Sequence, residues 1–98
     1  MKILVLEKEV LGITDDQFTP ALLKEETRQA WELHQAGIIR ELYFRQDRYE
    51  AVLILECKDV KEAQSVLAKL PLVKAGLIAF ELIPLKAYDG FARLFAKP

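Results

Sequence analysis

Residues 37–57 read GIIRELYFRQDRYEAVLILEC. Gly37 ends whatever precedes it, and residues 38–45 and 50–57 are two runs rich in β-branched, leucine and aromatic side chains, separated by the polar Gln46-Asp47-Arg48. Two such runs around a short polar link form an antiparallel hairpin. A helical pattern flanks it on each side. Upstream, Thr19 is placed to cap a helix with Pro20 at its first position, and Leu23, Glu26, Ala30 and Leu33 recur at helical spacing up to Gly37. Downstream, Asp59 and Glu62 have the spacing of a capping box, and Val60, Ala63, Val66, Leu67 and Leu70 form the apolar stripe of a second helix that ends before Pro71. Residues 2–9 (KILVLEKE) make a first strand stopped by Leu11-Gly12, and Gly76 releases a last strand over residues 77–85. The order β-α-β-β-α-β predicts an α+β, ferredoxin-like arrangement, with a four-stranded antiparallel sheet and both helices on one face. Residues 1–98 are read as one domain, the size expected of a single small core.

Alternation sorts the strand residues into two faces. Leu4, Leu6, Leu53, Leu55, Ile78, Phe80 and Leu82 are assigned to the helix-covered core. Ile3, Val5, Glu7, Val52, Ile54, Glu56, Leu77, Ala79, Glu81 and Ile83 are assigned to the other face, joined by Glu41, Tyr43 and Arg45 if the second strand has no bulge. That second face is too apolar for solvent and too acidic for a dry core. Two copies packed sheet to sheet would bury its aliphatic residues and leave polar groups around a cavity, so a homodimer, or a higher oligomer built from it, is expected.

Composition narrows the partners. Hydrophobic residues are 52% of the chain, and 14 basic against 15 acidic residues leave a net charge of −1 with no Lys/Arg cluster, which disfavours nucleic acid. The apolar runs are far shorter than the ~20 residues of a membrane helix, and the N-terminus does not read as a signal peptide. No membrane association is expected. The single Cys57 allows no intrachain disulfide, and a reduced, cytoplasmic setting is the simplest expectation. One His and one Cys give no metal-ligand spacing, so no metal site is expected. There is no glycine-rich phosphate loop and no Ser/His/Asp set in recognisable context.

The stretch from Gly37 to Arg45, then Tyr49, then Leu70-Pro71-Leu72 ahead of the last strand resembles the muconolactone isomerase family. The similarity covers roughly residues 20–85: a helix ending in Gly, an Arg-x-Leu strand, a tight turn to Tyr, and a second helix closed by Leu-Pro-Leu. The resemblance implies a dimeric α+β barrel, a small carbonyl-containing or lactone metabolite as ligand, and a cofactor-free proton shift within it. A non-catalytic small-ligand-binding or stress-related protein on the same dimer is the alternative. The chain has no Asn, which argues against the haem-degrading members of the same barrel group.

Proton transfer beside a carbonyl requires a base of raised pKa and a donor or cation for the developing enolate. Glu26 interrupts the apolar stripe of the first helix, and by the resemblance it aligns with a family Glu; the competing reading is a rim residue that snorkels. Glu56 is the second candidate base. Arg40, Tyr43, Arg45 and Glu81 are candidate substrate-binding groups, with a register-fixing ion-pair network as the structural alternative. Arg40 and Arg45 have opposite parity, so a bulge is needed for both to face one cavity. Trp31 is a packing residue or a ligand wall, and His34 is placed to complement the end of its helix. Residues 87–98 carry Tyr88, Phe91, Leu94 and Phe95 at near-helical spacing, which predicts a short C-terminal helix that closes an edge, reaches onto the partner chain or covers a ligand.

Overall fold

The computed structural model describes residues 1–97. Strand β1 (Lys2–Glu9) leads through a single 3₁₀ turn into helix α1 (Pro20–Gln35), then strands β2 (Ile39–Phe44) and β3 (Ala51–Glu56). Helix α2 (Val60–Ala68), the one-turn helix α3 (Pro71–Lys74) and strand β4 (Ile78–Pro84) follow, and a 3₁₀ segment, Gly90–Phe95, ends the chain. The four strands are antiparallel in the order β2-β3-β1-β4, the arrangement expected from the order of elements.

Local chemistry sets the boundaries. The Thr19 hydroxyl accepts from the Leu22 N–H at 3.2 Å and Pro20 begins α1, while the Asp59 carboxylate accepts from the Glu62 N–H at 2.8 Å at the start of α2. Both β-α-β halves leave their helix by the same turn. Gly37 at φ 80° and Gly76 at φ 74° occupy the left-handed region, which a side chain would strain. At the first, the Gly37 N–H reaches the His34 carbonyl and the Ile38 N–H the Leu33 carbonyl; at the second, Gly76 reaches Val73 and Leu77 reaches Leu72. These paired bonds satisfy carbonyls that a helix end would otherwise leave unmet. The second helical pattern breaks at Leu70 and restarts at Pro71 as α3, because proline is tolerated in a first turn, where its missing N–H has no partner to lose.

The register corrects the assignment of β1. Ile3 lies opposite Leu55, and Val5 lies opposite both Leu53 and Leu82. Directly opposed residues share a face, so Ile3, Val5 and Glu7 point under the helices, while Leu4 and Leu6 point to the other side with Val52, Ile54 and Ile83. Both sets are aliphatic, so a one-residue shift of face costs no apolar burial that the pattern itself reveals. Leu77 is corrected as well: it precedes β4 and is buried with Leu72 and Ile78. The main core gathers Ile3, Val5, Ile39, Leu53, Leu55 and Cys57 from the sheet and its flanks with Ala63, Leu67 and Leu70 from the second half. The other face stays apolar at its centre and charged at its borders, where Lys8 pairs with Glu81 at 3.1 Å and the N-terminal amine with Glu56 at 2.6 Å.

Leu55 is fully buried, whereas Leu11 is 92% exposed. Leu55→Ala is expected to cost about 2–5 kcal/mol in urea unfolding, and Leu11→Ala less than about 0.5 kcal/mol; equal costs would contradict the placement of the core.

Candidate functional site

Helix α1 closes onto the sheet only in part, through Leu22, Ala30 and Leu33. None of its residues is fully buried. Its stripe bears Glu26 where an aliphatic side chain would complete the packing, and seating α1 flush would strip that carboxylate of solvent. The space left between α1 and the sheet is a cavity of about 1,100 Å³. Its floor is apolar, from Ile39, Leu53, Leu70, Leu72, Ile78 and Phe80, and its α1 wall is Leu23, Glu26, Ala30, Trp31 and His34. The hairpin end supplies Leu42, Phe44 and Tyr49, whose Phe44 and Tyr49 rings stack with centroids 4.3 Å apart.

Of the three carboxylates that line this apolar space, Glu7, Asp15 and Glu26, the first and last enter it from opposite walls. Glu26 Oε1 accepts from the Leu72 N–H at 2.9 Å, a donor free because it lies in the first turn of α3 directly after Pro71. Glu7, on the helix-facing side of β1, accepts from the Ala51 N–H at 2.9 Å. Burial pushes the Glu26 carboxyl above the usual carboxylate range; the Leu72 N–H opposes that shift, and the negative charge of Glu7 adds to it. Glu7 is likewise pushed up, chiefly by burial, against the Ala51 hydrogen bond and with a contribution from Glu50. His34 Nδ1 lies 2.8 Å from the Ile39 carbonyl oxygen. That oxygen only accepts, so Nδ1 carries the proton, which leaves Nε2 as the acceptor of the neutral ring. Trp31 stands beside it, with ring centroids 5.9 Å apart.

Of the residues singled out in the sequence, Glu26 and Trp31 line this cavity with their helix, and Tyr43 lies at its border. The Tyr43 hydroxyl turns to the other sheet face and donates to Glu41 at 2.6 Å, a bond that raises its pKa. Arg40 falls in a bulge between Ile39 and Glu41, where its guanidinium donates back to the Gly37 carbonyl. Arg45 is held by Asp47 in the hairpin turn. Neither arginine lines the cavity. Glu56 and Glu81 lie on the non-helix face, as parity expects, and outside this cavity; the amine at Met1 lowers the Glu56 pKa. Sequence reasoning misses Glu7 and Asp15 among the lining carboxylates and gives His34 only a helix-end role. The β1 face assignment hides Glu7, whose signal is a lone carboxylate that continues the aliphatic alternation of Ile3 and Val5. The place of His34 near a helix end masks a ring that turns into the cavity. Among the described residues, no group of three His, Cys, Asp or Glu side chains is placed to hold a metal ion, and no helix is long and apolar enough to cross a membrane.

Comparison with known proteins places these features in context. Curated proteins yield no match to the chain. Among solved structures, a muconolactone isomerase superposes with a TM-score of 0.71 at 20% identity, over 91% of this chain and 92% of that one. The 5-chloro-2-hydroxyhydroquinone dehydrochlorinase of Burkholderia phenoliruptrix AC1100, in complex with 2,5-dihydroxybenzoquinone, superposes with a TM-score of 0.63 at 19% identity, over 92% of this chain and 98% of that one. Both likenesses establish the fold. The family model for muconolactone delta-isomerase matches residues 8–90, which takes in both helices, the hairpin and nearly every residue lining the cavity; the chain belongs to the muconolactone delta-isomerase family.

Proposed function

We propose that the chain binds a small unsaturated lactone, or a similar conjugated carbonyl compound, between α1 and the sheet and shifts a proton along it without a cofactor. The observation that carries this reading is the pair of half-buried carboxylates, Glu7 and Glu26, facing one apolar cavity with pKa values raised by burial. A raised pKa makes a carboxylate a stronger base, and an apolar floor strengthens each hydrogen bond made to a developing charge. Glu26 takes the proton from the carbon beside the carbonyl and returns it at the far end of the conjugated system, so no proton is gained or lost overall. Glu7 in its protonated form, or His34 when protonated at Nε2, donates to the enolate oxygen. Trp31 forms a wall against the ring of the ligand. Arg40, Arg45, Glu56 and Glu81 lie outside the cavity and take no part. Membership of a family named for a lactone isomerase supports this substrate class, as does the conjugated dione, 2,5-dihydroxybenzoquinone, in complex with the dehydrochlorinase of the same fold.

Two copies are further inferred to pair through the non-helix faces, closing the α+β barrel. The aliphatic centre formed by Leu4, Leu6, Val52, Ile54 and Ile83 supports this, because a patch of that kind on a monomer marks an interaction surface. A second functional reading, binding without turnover, is favoured by one observation: the cavity of a single copy is lined by Glu7, Asp15 and Glu26 but by no Lys or Arg among the described residues. Such a lining repels a ligand carboxylate.

With muconolactone as substrate, Glu26→Gln is expected to lower kcat by about 10²–10⁴ and to change KM little, the usual worth of a general base. Rates equal to the parent's would leave only the binding reading. Stability supplies an independent check. The folded protein keeps protons on Glu26 and Glu7 that the unfolded chain has already released as pH rises past the ordinary value of 4.5, so stability falls as pH rises from the unfolded towards the folded pKa and stays lower above it. Glu26→Gln keeps an acceptor for the Leu72 N–H and removes that cost. Its Tm should therefore exceed the parent's at pH 7, and the gain should vanish at about pH 3.5, below both pKa values; a gain that is independent of pH would mean that Glu26 is not desolvated.

A further inference from the structure

The cavity beneath α1 is rich in hydrogen-bond acceptors and poor in donors. The three carboxylates that line it, on Glu7, Asp15 and Glu26, only accept when ionised. The donors around them are already engaged. The Thr27 hydroxyl donates to the Leu23 carbonyl at 2.9 Å, the Tyr43 hydroxyl to Glu41 at 2.6 Å, and the Leu72 and Ala51 amides to Glu26 and Glu7. Among the described lining residues this leaves two side-chain donors, the Trp31 indole and the Tyr49 hydroxyl. Both stand at the mouth, on residues 57% and 82% exposed.

His34 completes this pattern. Its Nδ1–H is committed to the carbonyl of Ile39, the residue that borders the bulge of β2, so in the neutral ring Nε2 is a further acceptor lining the cavity. His34 follows Glu26 by eight residues, about 12 Å along the helix axis. That span holds one six-membered ring with a hydrogen bond at either end. The Trp31 ring, 5.9 Å from the imidazole, borders the same space. Charge selects in the same direction as hydrogen bonding. Arg40 and Arg45 are engaged by the Gly37 carbonyl and Asp47, and no Lys or Arg lines the cavity among the described residues. A ligand carboxylate therefore brings acceptors to acceptors and negative charge to negative charge. A hydroxyl brings the donor that the lining lacks.

We propose, on the reading of this cavity as the isomerase site, that its substrate is an uncharged ring carbonyl compound with a hydroxyl at the end away from the reacting carbon. The hydroxyl donates to His34 Nε2, the conjugated ring lies against Trp31, and the carbon that loses its proton faces Glu26. His34 is the specificity-determining residue. The site discriminates against ligands that carry a carboxylate in place of the hydroxyl, because neither the charge nor the hydrogen bond is met. With His34 accepting from the substrate, donation to the enolate oxygen falls to Glu7 in its protonated form. The hydroxyl keeps its proton throughout, so the proton balance of the shift is unchanged.

Binding tests this without turnover. Trp31 is the only tryptophan, so its emission reports ligands in the cavity. Four probes share one ring: cyclohexenone itself and its γ-hydroxy, γ-methoxy and γ-carboxylate derivatives. The ether keeps the oxygen but has no proton to donate. At pH 7 the parent is expected to bind the hydroxy compound about five- to tenfold more tightly than the ether or the plain enone, the worth of one hydrogen bond, and to bind the carboxylate most weakly. Equal affinity for the hydroxy compound and the ether, or tightest binding of the carboxylate, would overturn the proposal. His34→Phe keeps an aromatic ring and removes the acceptor. It should erase the preference for hydroxyl over ether while the plain enone binds as before, and a preference that survives would overturn the role given to His34. If His34→Phe does not fold, the four probes on the parent still decide. Loss of turnover in Glu26→Gln with a parent that prefers the carboxylate would remove this inference alone, whereas full Glu26→Gln turnover with the hydroxyl preference intact would remove the isomerase reading alone.

Discussion

The hydrogen bond from the Leu72 N–H to Glu26 joins the two halves of the chain where their packing would otherwise fail. Ala30 and Leu33 on the α1 stripe pack against the core, and a carboxylate on that stripe forbids close approach to the sheet unless it is satisfied. The second half offers a donor for a simple reason: Pro71 has no N–H, so the next amide is the first in that turn that is free to donate. Leu72 also accepts from Leu77 through its carbonyl and buries its side chain with Ile78, so this residue ties together α1, α3 and the entry to β4. The helix is therefore held at a distance rather than pressed flat. The cavity follows from that distance.

Acid chemistry and apolar packing meet in the same space. Glu26 and Glu7 each keep one hydrogen bond from a backbone amide, which lowers the cost of burying them without cancelling it. The arginines that would have balanced them are engaged elsewhere, Arg45 by Asp47 in the turn and Arg40 by the Gly37 carbonyl in the bulge. A pair of uncompensated carboxylates is destabilising for a scaffold and useful for a base, the usual compromise where a site is built into a small core.

Much of this architecture was legible because it depends on local rules. Thr19-Pro20, Asp59, Gly37 and Gly76 act through backbone geometry within a few residues, so their consequences are fixed before the chain folds. Glu26 was legible for the opposite reason: a charge on an apolar stripe conflicts with its surroundings, and such conflicts concentrate at functional positions. Glu7 was not legible. It lies on a central strand whose two faces, Ile3 and Val5 against Leu4 and Leu6, are equally apolar, and alternation has no direction when both faces are oily. Placing it required the pairing of Val5 with Leu53 and Leu82, a contact between residues far apart in the chain.

The amino-acid sequence by itself determined the order of elements, their boundaries, the hairpin and the carboxylate on α1, since each follows from short-range hydrogen bonding and side-chain periodicity. Tertiary structure alone decided which face of β1 looks inward, that the cavity lies beneath α1, and that the C-terminal segment stands away from its own body. Those outcomes depend on strand register and on which surfaces compete for burial. Both are sums over contacts distant in sequence, so no local pattern encodes them.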